Sequence, residues 1–113
     1  MDCIFCKIAN KEIPSGIVYE DDDVMAFKDL NPEAPVHILV IPKKHIVNLS
    51  DAKPEDQQLL GKLMLTIQKI AAEQGIAESG YRVVTNCGEQ GGQTVMHMHF
   101  HLLGGREMLW PAG

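Results

Sequence analysis

From Val95 to Leu103 the chain interleaves His97, His99 and His101 with Met98, Phe100 and Leu102. A period of two fits an extended strand; on a helix the three imidazoles would splay around the axis and could not act together. Alternate side chains of a strand share a face and stand about 6.6–7 Å apart. One face therefore carries three imidazoles and the other is apolar. The apolar face belongs to a core, which pins the register, because a slip of one residue would exchange the faces. The last strand is accordingly predicted over 95–103.

With 113 residues the chain has room for one domain, 1–113, whose core needs no staples. At 45% hydrophobic it is too apolar for a disordered tail. Fifteen acidic residues against ten Lys plus Arg give a net charge of −5, which argues against nucleic acid as a partner. A small phosphorylated ligand needs only local donors and stays open. No apolar run approaches the ~18 residues of a membrane span. The opening Met1-Asp2-Cys3-Ile4-Phe5-Cys6-Lys7 lacks the pattern of a signal peptide, so a cytoplasmic location is expected. Three cysteines, an odd count, are expected as thiols or metal ligands rather than a disulfide framework.

One long helix is predicted from Pro54 to Gln74. Leu59, Leu60, Leu63, Met64, Ile67, Ile70 and Ala71 fall on one face at steps of three and four, with Gln58, Lys62, Gln68 and Lys69 turned away. Pro54 suits its first position, Glu55 and Asp56 its positive end, and Gly75 a left-handed stop; Lys53 is a poor cap. A shorter helix is expected from Phe5 to Asn10. Ile17–Tyr19 and Val24–Phe27 flank an acidic turn and read as a hairpin, Ile38–Ile41 as a strand buried on both faces, and Tyr81–Thr85 as another strand. His37 begins a strand and has no assignable role. The fold class is α+β: a five-stranded antiparallel sheet with one long and one short helix.

A histidine-bearing strand face can be a solvated surface, a transition-metal site, or a nucleophilic site in which one imidazole attacks and its neighbours orient it and handle protons. The preceding loop, Asn86-Cys87-Gly88-Glu89-Gln90-Gly91-Gly92-Gln93-Thr94, weighs toward the last. Its glycines let main-chain N–H groups approach a ligand, and Asn86, Gln93 and Thr94 add neutral donors suited to phosphate oxygens. It matches neither a P-loop nor a Rossmann turn.

His97-Met98-His99-Phe100-His101-Leu102-Leu103 resembles the signature of the histidine triad (HIT) family, His-x-His-x-His followed by two hydrophobics. The resemblance spans almost the whole chain through Ile4–Ile8, Ala26–Asp29, Leu39–His45, Gly91–Thr94 and Leu103–Pro111. It is nearest the HINT-like purine nucleoside phosphoramidase branch. It implies a nucleotidyl hydrolase acting on purine nucleoside 5′-phosphoramidates. His99 would be the nucleophile, and His101 would contact the phosphate and protonate the departing nitrogen. No cofactor would be needed for catalysis. Asp29, with Leu30 beside it, would hold the ribose; Phe5, Ile8 and Phe27 would wall the base; Asn86, Gly92, Gln93, Thr94 and Val95 would face the sugar-phosphate. Thr94 stands where the branch more often has Ser. For Phe5, Ile8 and Phe27 an ordinary core role, and for Asp29 a turn-forming role, compete with these assignments.

Cys3-x-x-Cys6 is half of a zinc site or a redox pair, and the missing strand before it speaks against the redox reading. Some bacterial members of the resembled family complete a structural zinc site with two histidines, which fall here on His45 and His97. Other members have no metal. The resemblance further implies a homodimer whose two sheets join into one of ten strands, with the tail Met108-Leu109-Trp110-Pro111 reaching toward the partner's site. Competing functions are a dinucleoside polyphosphate hydrolase, a nucleotide-binding scaffold module and a zinc carrier. The last leaves the glycine-rich loop unexplained.

Overall fold

The structure is a computed structural model that describes residues 3–113; Met1 and Asp2, which open the N-terminal reading above, lie outside the described residues. Five strands, β1 (Ile17–Glu20), β2 (Val24–Lys28), β3 (Val36–Pro42), β4 (Tyr81–Val84) and β5 (Phe100–Gly104), form one sheet in the order β1-β2-β3-β5-β4. Every neighbouring pair is antiparallel. A short helix, α1 (Ile4–Ala9), and a long one, α2 (Gln57–Glu73), complete the regular structure of the described residues together with two 3-10 turns. The α+β class and its five strands are as expected.

The period of two in β2 and β3 sorts the core into two layers. Val24, Ala26, Ile38 and Val40 pack with Met98, Phe100 and Leu102 against Leu63, Ile67, Ile70 and Ala71 of α2. Met25, Phe27, Leu39 and Ile41 face the other way, against Phe5, Ile8 and Ala9 of α1. Each large aliphatic side chain so buried is worth about 1.5–3 kcal/mol. Leu63 is fully buried in the centre of α2, and its truncation to Ala would cost roughly 2–5 kcal/mol.

Several boundaries differ from the sequence reading. The first turn of the predicted long helix, Pro54–Asp56, is 3-10, and the α-helix begins at Gln57. Lys53 offers no side-chain cap. Asp56 does that work instead: its buried carboxylate accepts the Lys53 N–H at 2.9 Å and the Lys44 ammonium at 2.6 Å. Gly75 takes the expected left-handed conformation, φ +76°. Met64 is exposed, and Thr66 is buried in its place. The short helix starts one residue earlier than predicted because Cys3 caps it, its Sγ accepting the Cys6 N–H. The last strand is shorter than 95–103: residues 95–99 leave the ladder, and pairing begins at Phe100. The alternation survives that loss, with Met98 in the α2 layer and the His97 and His99 rings both edge-on to Phe5.

Candidate active site

In the β3–β5 ladder Leu39 stands opposite His101, and His37 opposite Leu103. His37, Leu39 and His101 therefore share the α1 face of the sheet, His37 one diagonal step from His101. The His37 Nε2 lies 2.9 Å from His101 Nδ1. His37 Nδ1 accepts the Glu33 main-chain N–H at 3.0 Å. An imidazole that accepts on Nδ1 carries its proton on Nε2. His37 thus donates to His101 Nδ1, and the neutral His101 ring keeps its own proton on Nε2, the nitrogen turned away from His37.

His99 is wired in the opposite sense. Its Nδ1 is 2.8 Å from the carbonyl oxygen of His97, which can only accept. His99 therefore carries its proton on Nδ1, and Nε2 has a free lone pair. The His99 and His101 rings are 5.1 Å apart, and the Phe5 ring stands edge-on to His99 at 5.0 Å. Burial first, then the neighbouring His99 and His37, push His101 down to about 4 from its ordinary 6.5, against the pull of the Asp29 carboxylate. At neutral pH the ring is uncharged.

Asp29 takes the turn-forming role and also approaches the histidines. Its Oδ1 accepts the Asn31 N–H at 2.8 Å, a turn-forming bond, while Oδ2 lies 3.4 Å from His37 Nε2. Asp29, His37 and His101 bring three ligand-type atoms within 4.8 Å of one another. They do not suit a metal ion, because the Glu33 N–H occupies His37 Nδ1 and leaves Nε2 protonated, with no lone pair for an ion; His37 and His101 are hydrogen-bonded, and the Asp29 carboxylate stands beside them.

Five of the expected nucleotide residues come together. Phe5, Ile8, Phe27, Asp29 and Leu30 line one cleft of about 250 Å³. Phe5, Ile8 and Phe27 are also core residues, buried to within 7% exposure, so the ordinary core role is realised in residues that at the same time wall the cleft; Leu30 is 93% exposed at the rim. Thr94 and Val95 line a separate cleft with Cys3, Ile4 and His45; Ile4 borders both clefts. Asn86, Gly92 and Gln93 shape the loop. Asn86 Nδ2 donates to Gly91 O at 2.7 Å, and Gly92 is left-handed at φ +78°. A Cβ on Gly91 would stand 2.4 Å from the Cys87 carbonyl oxygen, so only glycine fits there. The Gln93 side chain departs from the expected contact with sugar-phosphate: it is buried and spends its bonds on the protein.

The second cluster joins Cys3 and Cys6 to His45 and His97, with all four donor atoms within 4.8 Å of one another. His97 Nδ1 is 3.3 Å from Cys3 Sγ, 3.5 Å from Cys6 Sγ and 3.2 Å from His45 Nδ1; Cys6 Sγ is 3.2 Å from His45 Nδ1. The edges of a tetrahedral Cys2His2 zinc site are ~3.3 Å between nitrogens and ~3.6 Å between nitrogen and sulfur. The donor set and its spacing fit a zinc ion. His97 Nε2 donates to the Pro42 carbonyl at 2.8 Å, which turns the Nδ1 lone pair into the cluster. Burial lowers the His97 pKa, and burial with the adjacent Cys3 pushes Cys6 up to about 11.

His37, hydrogen-bonded to His101, is the member of the candidate site to which sequence reasoning gave no role. The available signal was its period-two spacing from Leu39 and Ile41. Using it required knowing that β3 pairs with β5.

A sheet of this topology, carrying a His-x-His-x-His run behind a glycine-rich loop, defines a histidine triad protein. The family model of the HIT domain matches residues 10–108, and the chain belongs to that family. It is 60% identical to an uncharacterized HIT-like protein of Synechococcus elongatus over 99% of this chain and 97% of that one. Among solved structures, a HIT family hydrolase from Legionella pneumophila superposes with a TM-score of 0.98 at 49% identity, covering 99% of this chain and 100% of that one. A histidine triad nucleotide-binding protein from Candida albicans superposes with a TM-score of 0.84 at 33% identity, covering 99% and 85%.

Proposed function

We propose that the protein is a hydrolase that cleaves the P–N bond of purine nucleoside 5′-phosphoramidates, AMP-amines and related aminoacyl-adenylate-like substrates, through a nucleotidyl-histidine intermediate. The observation that carries this reading is the bond from His99 Nδ1–H to the His97 carbonyl, which leaves Nε2 as a lone-pair nucleophile. His99 Nε2 attacks the α-phosphorus, the P–N bond breaks, and the departing nitrogen takes a proton through His101 Nε2. The phosphoryl anion brings negative charge beside His101 and favours its protonated form. Water then attacks the phosphorus, the bond to His99 breaks, the proton lost by the water returns to His101, and the nucleoside monophosphate leaves. Loop N–H groups and Thr94 stabilise the phosphoryl oxygens. The cleft of Phe5, Ile8 and Phe27 takes the base, and Asp29 takes the ribose hydroxyls.

Cys3, Cys6, His45 and His97 would hold a structural zinc ion. Zinc there supplies a cross-link between the start of α1 and the segment ahead of the catalytic histidines, and no catalytic step. The protein pairs with a second copy through α2 and the edge strand β4. Leu65 and Met64 on α2, and Tyr81 and Val83 on β4, are exposed apolar side chains that such pairing would cover.

The decisive experiment is AMP release from an adenosine phosphoramidate, with and without chelator, joined to mass spectrometry of acid-free quenched enzyme. An added AMP that is lost in acid supports the covalent mechanism. Turnover that stops on chelation alone, without loss of folding, would replace it with metal-dependent hydrolysis.

A further inference from the structure

We infer that Gln93 is a positioning residue, which shapes the glycine-rich loop for the phosphoryl group without touching the nucleotide through its side chain; this rests on the reading that the loop receives phosphate. Gln93 is 8% exposed. Its Oε1 accepts the Gly88 N–H at 2.9 Å and the Asn48 Nδ2 at 3.2 Å. Its Nε2 donates to the Val47 carbonyl at 2.6 Å and the Val95 carbonyl at 3.0 Å. Two carbonyls can only accept and a main-chain N–H can only donate, so the orientation of the amide is unambiguous. Both donors and both lone pairs are used, and nothing is left for a ligand.

The partners explain what the residue does. The Gln93 main-chain N–H also bonds the Gly88 carbonyl at 3.1 Å, so Gly88 is clamped twice by one residue and the loop between them is closed. The two amide donors tie that closed loop to Val47, in the segment after β3, and to Val95, two residues before His97. Asn48 is itself fixed, its Oδ1 accepting the Asp51 N–H at 3.2 Å. Gln93 thus sets the loop's main-chain donors in register with the histidines. No other side chain of this size offers two donors and two acceptors in one plane. Glu is isosteric but would turn a carboxylate toward two carbonyls.

The test compares Kd for AMP and for adenosine in the wild type, Gln93→Glu, Gln93→Met and Asn48→Ala. Adenosine shares the base and ribose contacts and lacks the phosphate. In Gln93→Glu and Gln93→Met, AMP affinity should fall about tenfold or more, as expected for buried hydrogen bonds left unmade, while adenosine affinity stays within about twofold. Asn48→Ala, which removes one of the four partners and keeps the rest, should weaken AMP selectively but less, and it carries the test if the Gln93 variants do not fold. Equal weakening of both ligands, or unchanged AMP binding in folded variants, overturns the inference. A wild type that binds adenosine as tightly as AMP overturns the phosphate reading beneath it.

Discussion

The carbonyl oxygen of His97 accepts the Nδ1–H of His99 at 2.8 Å, while the ring of the same His97 turns its Nδ1 toward Cys3, Cys6 and His45. One residue thus fixes the tautomer of its neighbour through its main chain and closes the thiol–imidazole cluster through its side chain. The cluster sits next to His99 and is joined to it through a peptide group, so an effect of the cluster on the proposed chemistry would pass through the position of that group.

Replacing His99 with Ala should lower turnover of an adenosine phosphoramidate by roughly 10³-fold or more and leave AMP affinity within about threefold. The affinity is expected to survive because the proposed nucleotide contacts lie in the cleft and loop. Single-turnover kinetics with AMP titration checks both halves, and a variant retaining near-normal turnover would contradict the nucleophile assignment.

His37→Leu should lower kcat by roughly 10- to 100-fold with a smaller change in KM, since it removes the donor that orients His101 and not a contact to nucleotide. The loss should be greatest for amines that leave poorly, which depend most on proton delivery. A leaving-group series in both proteins reads this as a steeper slope in the variant.

Stability should decline as the pH drops from about 6.5 toward 4, the ordinary and folded values for His101. In that window the unfolded chain binds a proton that the folded chain refuses, so the contribution is full above the window and lost within it. Urea midpoints at several pH values should show this decline, flattened in a His101→Asn variant. An unchanged profile would mean that the ring is not held neutral.

Protein purified with zinc should carry about one equivalent, and chelation should lower Tm by roughly 10 °C or more, because site closure adds several kcal/mol to folding. Cys6→Ser should reproduce both effects without chelator. Elemental analysis and thermal melts, with alkylation of Cys3 and Cys6 as a check on their accessibility, measure this directly.

Sedimentation at micromolar concentration should report a dimer, and Leu65→Glu combined with Val83→Lys should yield a folded monomer. Leu65 is 67% and Val83 39% exposed, so the charges cost little in the single chain. Truncation after Arg106 removes Leu109 and Trp110, whose segment is held to its own chain by Arg82 donating to the Leu109 carbonyl at 2.8 Å. A change in leaving-group preference on truncation would place the tail at a partner's site, and an unchanged preference would confine it to its own subunit.

Most strands and the long helix were legible because each rests on a local signal: alternation in the histidine run, a continuous apolar run in β3, and steps of three to four in α2; the separation of two core layers emerged only from the structure. The histidine run was also where a local rule overreached. Residues 95–99 keep the alternation but leave the ladder. Met98 donates its N–H to Ile46, outside the sheet, and Gln93 holds Val95 from the side. Alternation reports which way side chains point, and it does not report whether a neighbouring strand is there to pair.

The amino-acid sequence by itself determined the α+β class, the shared face of the three histidines, the glycine-rich loop ahead of them and, through the family signature, the residues that gather at the cleft. Only the folded structure decided the protonation of the histidines. A ring's tautomer is set by what each nitrogen meets: the nearby His97 carbonyl for His99, and partners from distant segments for the others, His37 of β3 for His101 and the Pro42 carbonyl and Cys3 for His97. It also decided that Gln93 faces inward and that His37 stands behind His101, because both depend on which strands and loops lie side by side. Spacing along a chain fixes direction, whereas hydrogen-bond partners are fixed only when the chain has closed upon itself.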